Sequence, residues 1–400
     1  MVITSVVSGS GTLDSASIKS TLFEAMSRHP RLMRRVSTFN TFYILEDCKV
    51  DMDDHIIIEQ DRLSQHKFLT ILNTLKSQNL DFSKPLWKFH IFTNVAGKWK
   101  FVAQISHCHV DGASAVRLLS DITNYTNCEQ KSLVTPPLQT RPTSNGNKHQ
   151  FSFSRSLKML FAVSYHFIRA IVCARDCTQR LRKIVVGRQK CYWGQLGTIS
   201  DIKSIATKCN GRLNSLLFSC LSDTIQSITK ERCCDDSVKF YVATNMRGYE
   251  DNIVLGNNTG LLLLELYSEH NLKLRVKQFD LKLKESKSSC EMVSYHIMMS
   301  IIGASPDFFE KFGITIMDKK ATLNVTTVDG GDTDLYFFNQ KVEDLIGFVP
   351  HLGSTGIGVS FIGVGGKMVV GFTCDEGLGL DPADLFNAFL SSFEQHKVVV

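Results

Sequence analysis

Gln104-Ile-Ser-His-Cys-His-Val-Asp-Gly112 is the stretch from which the fold and the chemistry of this chain are read. The residues leading into it, Lys100-Phe-Val-Ala-Gln-Ile-Ser106, are rich in β-branched and aromatic side chains and predict a strand. Side chains alternate across a strand. Ala103, Ile105, His107 and His109 are therefore expected on one face, and Gln104, Ser106 and Cys108 on the other. Gly112 is expected to end the strand in a turn with φ > 0. Ala113 to Ile122 predicts a helix, with Val116, Leu119 and Ser120 at helical spacing.

Three readings of the cluster compete. In the first, one histidine is a general base. A neutral imidazole with a pKa near 6.5 takes a proton from a hydroxyl or thiol at pH 7. Asp111 would then fix the ring, or tie the turn to a distant arginine. In the second, His107, His109 and Asp111 hold a metal, in the spacing of the His-x-His-x-Asp-His motif of metallo-β-lactamase-like hydrolases. Gly112 stands where that motif has its last histidine, and the downstream histidines (His149, His166, His270, His296, His351 and His396) form no partner motif. In the third, two half-buried histidines simply belong to a core strand.

Working outward, 400 residues suit two domains, and an apolar content of 43% supplies a sizeable core. A net charge of +6, with no RNP-like, zinc-finger or P-loop pattern, implies no nucleic-acid partner. Twelve cysteines are scattered without a C-x-x-C, and the start carries no signal peptide. Both features predict reduced thiols in a cytosol-facing protein. No run approaches the ~18 apolar residues of a membrane span.

Met1 to Val7 predicts a strand, followed by a helix from about Asp14 with Ile18, Leu22 and Met26 inward. His29-Pro30 ends that helix. Phe39 to Leu45 predicts a strand, His55 to Glu59 another, and Phe68 to Leu75 a helix. Pro85 opens a strand in which Trp87, Phe89 and Ile91 share a side. It pairs with the 100–109 strand across Asn94-Val-Ala-Gly97. Residues 129–150, with Pro136, Pro137, Pro142, Asn145, Gly146 and Asn147 and few apolar residues, predict a loop. Residues 151–190 carry large apolar residues at helical spacing with basic flanks. They predict either a membrane-interfacial helix or a core helix with a solvated basic tail. Beyond Ile199, helices are expected at 201–208 and 213–230 and strands at 239–244 and 321–328. A hairpin is expected around Gly365-Gly366, and a last helix from Asp381-Pro382. The mixed order of strands and helices in both halves predicts an α/β fold.

These pieces, in this order, resemble the wax ester synthase/diacylglycerol acyltransferase family, which belongs with the chloramphenicol acetyltransferase-like and condensation-domain folds. Its His-His-x-x-x-Asp-Gly signature appears as Ser106-His107-Cys-His-Val-Asp111-Gly112, with Ser106 in place of the first histidine. Pro85-Leu86-Trp87 resembles the family's Pro-Leu-Trp. Asn245-Met-Arg247 and Leu255-Gly256-Asn257 resemble its arginine turn and Leu-Gly-Asn loop. Asn324-Val325 resembles its Ser-Asn-Val-Pro-Gly-Pro segment without the prolines, and Ser215 replaces an aspartate of its Val-Asn-Asp segment. The resemblance covers nearly the whole chain.

The resemblance implies two chloramphenicol acetyltransferase-like domains with mixed sheets flanked by helices, and an active-site tunnel between them. The N-terminal domain is expected over 1–135, a linker with the interfacial helix over 136–195, and the C-terminal domain over 196–400. It implies acyl transfer from a fatty acyl-CoA to a fatty alcohol or diacylglycerol, with His107 as base, Asp111 and Gly112 shaping the turn, and Arg247 as the partner of Asp111. Asn257 and Asn324 are the expected oxyanion donors, and Pro85 and Trp87 the further substrate-binding residues. No metal or cofactor beyond acyl-CoA as co-substrate is implied. The implied location is cytosol-facing, at a membrane surface or lipid droplet, in a eukaryote the endoplasmic reticulum membrane. The alternative without turnover is a transferase-like lipid-binding protein.

Overall fold

The computed structural model describes residues 1–126, 185–229, 239–247, 254–265, 271–288, 291–351 and 355–398, with the single positions 161, 164, 165, 168, 269 and 353. The loop expected over 129–150 and most of the helix expected over 151–190 lie outside the described residues.

The N-terminal half runs β1 (Val2–Gly9), α1 (Ser15–Ser27), β2 (Arg34–Phe39), β3 (Phe42–Asp47), α2 (Met52–His55), β4 (Ile56–Leu63), α3 (Gln65–Ser77), β5 (Trp87–Val95), β6 (Lys98–Ser106) and α4 (Gly112–Thr126). The C-terminal half runs β7 (Gln189–Thr198), α5 (Ile199–Lys208), α6 (Leu213–Thr229), β8 (Lys239–Asn245), β9 (Thr259–Glu265), α7 (Leu272–Ser288), α8 (Glu291–Gly303), α9 (Asp307–Asp318), β10 (Leu323–Asp329), β11 (Tyr336–Phe337), β12 (Gln340–Lys341), β13 (Asp344–Phe348), β14 (Ile357–Val364), β15 (Lys367–Asp375) and α10 (Pro382–Val398).

Two mixed sheets result. The first has the order β13-β1-β6-β5-β4, and the second β7-β15-β14-β10-β8-β9. β13 belongs to the C-terminal half of the chain yet pairs antiparallel with β1, Thr4 opposite Phe348 and Val7 opposite Leu345. This crossover strand lies beside the second sheet and brings the two halves together. The expected boundary at 196 falls inside β7, which pairs with β15 from Gln189 onward.

The apolar stripes settle where the periodicity places them. Ile18, Leu22 and Met26 of α1 are buried, as are Trp87, Phe89 and Ile91 of β5 and Leu385, Phe386 and Phe389 of α10. The β5–β6 turn takes left-handed values at Ala96 and Gly97, as a tight hairpin between right-twisted strands requires.

Three local expectations are corrected. Phe39 to Leu45 is not one strand but the end of β2, a turn through Asn40 and Thr41 with φ of 46° and 73°, and most of β3. The strand into the histidine cluster stops at Ser106, where the Ser106 carbonyl accepts from His109 N at 2.9 Å and Val110 N at 3.3 Å. That turn removes His107 and His109 from a common strand face. Gly112 is the first residue of α4 and is not among the positive-φ glycines. A Cβ there would meet Val328 Cγ2 at 3.4 Å, an ordinary van der Waals distance, so neither a positive φ nor a clash requires glycine at this position.

Candidate active site

β6 delivers His107 to the seam between the two sheets. Its backbone N–H donates to the Met1 carbonyl at 2.9 Å, which ties the turn to the start of β1. The ring borders a cavity of about 130 Å³. The N-terminal half contributes Ile3, Phe101, Ala103, Ile105, Val116 and Leu119 to its wall, and the C-terminal half Ala243, Thr326, Val328, Leu345 and Ile362. The polar side chains of the wall are His107, Ser5, Thr259 and Thr326. Both halves of the chain therefore enclose an apolar space with one imidazole at its edge.

His107 Nδ1 is buried and has no hydrogen-bond partner in the protein. Burial holds its pKa below the ordinary histidine value, against the opposing pull of the Asp111 charge and its own carbonyl. A neutral ring in an apolar wall is the form that accepts a proton.

Asp111 does something else. It caps α4, its Oδ1 accepting from Ser114 N at 2.9 Å. Its Oδ2 accepts from Arg247 Nη1 at 2.6 Å and from Asn258 N at 2.7 Å. Arg247 Nη2 also donates to Ser114 Oγ at 3.0 Å and to the Gly256 carbonyl at 2.9 Å. Burial pushes the Asp111 carboxyl up, but the Ser114 and Asn258 N–H groups and the Arg247 guanidinium more than reverse this and hold it below the usual range. Asp111 and Arg247 are thus a largely buried, multiply hydrogen-bonded pair that joins the start of α4 to the loop between β8 and β9. Ser114, which sequence reasoning missed, is the third member of this knot, and nothing in helical periodicity marks it.

His109, two residues from His107, is sealed away from the cavity. Its Nε2 accepts from Leu86 N at 3.3 Å, and burial lowers its pKa to about 4. Arg31 closes the other side through two bonds to the Cys108 carbonyl, at 2.7 and 3.1 Å. His107, His109 and Asp111 therefore point to three different places. Among the described residues no group of three His, Cys, Asp or Glu side chains is placed to hold a metal.

Four further expectations are corrected. Asn257 is exposed and does not line the cavity; its neighbour Asn258 makes the useful bond, through the backbone. Asn324 is buried, but its Nδ2 donates to the Pro350 carbonyl at 3.2 Å and to Thr355 Oγ1 at 3.0 Å, so both amide hydrogens are engaged. Pro85 and Trp87 are buried outside the cavity wall. Trp87 is a core residue: Nε1 donates to the Leu32 carbonyl at 2.7 Å, and the ring stacks on His55 with centroids 4.3 Å apart. Thr326 and Val328, two and four residues beyond Asn324 on β10, are the residues of that strand that reach the cavity.

Two models of one family match this chain. The wax ester synthase/diacylglycerol acyltransferase catalytic domain covers residues 11–196, and the WS/DGAT C-terminal domain covers residues 255–397. A putative diacylglycerol O-acyltransferase of Mycobacterium bovis is 18% identical over 340 residues, covering 80% of this chain and 73% of that protein. A probable diacylglycerol O-acyltransferase of Mycobacterium tuberculosis matches to the same extent. Among solved structures, the wax ester synthase/diacylglycerol acyltransferase from Marinobacter aquaeolei VT8 superimposes with a TM-score of 0.68 at 12% identity, covering 100% of this chain and 94% of that one. The starter condensation domain of rhizomide synthetase in complex with C8-CoA gives a TM-score of 0.64 at 11% identity, covering 99% and 89%.

Proposed function

The chain belongs to the wax ester synthase/diacylglycerol acyltransferase family and is an acyltransferase, and on that premise we propose that it moves a long-chain acyl group from acyl-CoA to a lipid alcohol with His107 as general base. The observation that carries this reading is the neutral His107 ring at the wall of an apolar cavity enclosed by both halves. His107 takes the proton from the acceptor hydroxyl as its oxygen attacks the thioester carbonyl. The tetrahedral intermediate then expels CoA thiolate, which recovers that proton from the imidazolium. A positioned base contributes about 10²–10⁴-fold.

The developing oxyanion needs donors. With Asn324 engaged, Asn257 exposed and the Ser114 and Ala115 N–H groups already bound to Asp111, the role falls to the Gly112 and Ala113 N–H groups at the start of α4, because a helix N-terminus favours negative charge and Gly112 lines the cavity. Asp111 and Arg247 position this turn without touching the reacting atoms. The acyl donor is acyl-CoA, in keeping with the structural neighbour that holds C8-CoA. The acceptor is a long-chain fatty alcohol, giving wax ester, or diacylglycerol, giving triacylglycerol. Both partition into lipid, so the reaction is assigned to a cytosol-facing membrane surface or lipid droplet.

The test is turnover of palmitoyl-CoA with hexadecanol or diacylglycerol in micelles, beside His107→Ala. Wax ester or triacylglycerol made by the parent and lost in the variant supports the reading and identifies the acceptor. Turnover undiminished in His107→Ala removes the assigned base. Stable lipid binding without product moves the chain to a non-catalytic lipid-binding role.

A further inference from the structure

The outer face of α9 carries Phe308, Phe309 and Phe312, which are 65%, 52% and 64% exposed. Spacings of three and four place these rings on one side of the helix, and the Phe308 and Phe309 centroids are 3.9 Å apart. A water-facing helix does not ordinarily collect three phenylalanines; contiguous apolar patches of this kind mark interaction sites.

The inner face of the same helix pair is anchored beside the cavity. Tyr295 and Met298 of α8 and Met317 of α9 form a small core with Tyr241 of β8. The Tyr241 hydroxyl donates to the Met317 carbonyl at 2.9 Å, and His296 Nδ1 lies 3.2 Å from the Thr259 carbonyl. Ala243, two residues along β8 from Tyr241, and Thr259 itself both line the cavity. One end of this sheet face is thus covered by α8 and α9, while the adjoining part walls the cavity.

We propose that the Phe308–Phe309–Phe312 face docks the protein on a lipid surface, placing α8 and α9 between that surface and the cavity. The inference rests on the proposed lipid acceptor, which must leave a lipid phase to reach His107. Area favours a lipid over a second copy of the chain. The exposed parts of three phenylalanines amount to roughly 350 Å², whereas a stable dimer buries about 800 Å² per partner. Shallow insertion of three rings needs no more than the patch provides. Charge refines the occupant: Glu310 and Lys311 sit beside the rings, and the helix carries no basic cluster. Docking is therefore apolar and does not require anionic headgroups.

The test is co-sedimentation of the full chain with phosphatidylcholine vesicles at low and high salt. Parent protein is compared with Phe308→Ser/Phe309→Ser/Phe312→Ser and with a control, Phe39→Ser/Phe42→Ser, at the exposed β2–β3 tip. The expected result is binding that survives high salt, falls roughly tenfold or more in the α9 variant and persists in the control. Circular dichroism and turnover of a short, water-soluble acceptor check that the α9 variant is folded. A Phe308→Trp variant with brominated lipid gives a second reading, in which fluorescence quenching reports insertion. Unchanged sedimentation of the triple variant, or an unquenched Trp, overturns the proposal. So does a parent dimer that the triple variant converts to monomer. If vesicle binding behaves as expected but no acyl transfer is found, the docking face stands and the acyltransferase reading alone fails.

Discussion

His107 and His109 stand two residues apart in one turn and meet opposite surroundings. Burial makes both neutral, so the charge state does not distinguish them. What differs is where each ring ends. His107 meets a cavity, whereas the buried, unpartnered Nδ1 is common to both rings. His109 is packed against β5, with Nε2 accepting the Leu86 N–H. A desolvated imidazole becomes a reagent only where there is room for another molecule beside it.

The largest effect that could break this comparison is on turnover. His107→Ala is expected to lower kcat by about 10²–10⁴-fold while changing stability by less than about 1 kcal/mol, since the ring gives up no hydrogen bond. The acid limb of the pH–rate profile, measured on the parent, should lie below the ordinary histidine pKa. A limb at or above pH 6.5 would mean that the ring is not desolvated in the working enzyme.

Second in size is the knot behind the turn. Asp111→Asn or Arg247→Met leaves one buried charge without its partner, at a cost of about 3–5 kcal/mol. Thermal unfolding of both single variants and the double variant should show the double costing clearly less than the sum. Additive costs would mean that the 2.6 Å contact contributes no coupling.

His109 comes third. His109→Ala removes the partner of Leu86 N and opens a void, at about 2–4 kcal/mol, with a smaller loss of turnover than His107→Ala. The same histidine imposes a pH dependence. Its pKa is about 4 when folded and about 6.5 when unfolded, so the unfolded chain binds the extra proton between those values. Stability is full above pH 6.5 and falls as the pH drops toward 4. His90, also held at about 4 by burial, adds to this slope. Unfolding midpoints from pH 7 to 4 should fall less steeply in His109→Gln than in the parent.

The contrast between the two histidines also marks how far the sequence is legible. Strand, turn and helix around 100–122 are readable because alternation and helical spacing are local properties of the chain. The Asp111–Arg247 pair spans 136 positions, and only the resemblance brought those residues together. The fate of β13 is not encoded in Asp344–Phe348 itself, because its pairing with β1 depends on the whole fold. The exposed face of α9 has a similar cause: phenylalanine predicts burial everywhere, and only the packed structure reveals that three of those on α9 are left outside. Pro85 and Trp87 failed as substrate contacts because a strand's apolar face can serve a core as well as a cavity. Trp87 met the core.

The smallest effect is carried by the two asparagines, and it separates a side chain that resembles a donor from one that is free to donate. Asn324 holds the 350–355 segment through two bonds from one nitrogen. Asn324→Ala should cost about 1–3 kcal/mol and reduce turnover only as that segment loosens next to Val349 and Pro350 of the cavity wall. Asn257 is exposed, and the neighbouring backbone makes the bond to Asp111. Asn257→Ala should therefore leave both midpoint and kcat within error. A tenfold fall in kcat at unchanged stability for either variant would restore that asparagine as an oxyanion donor and displace the first turn of α4 from the role. An unchanged kcat in both leaves the backbone at Gly112 as the donor, where substitution by alanine tests it: a Cβ would enter the cavity wall and approach Val328.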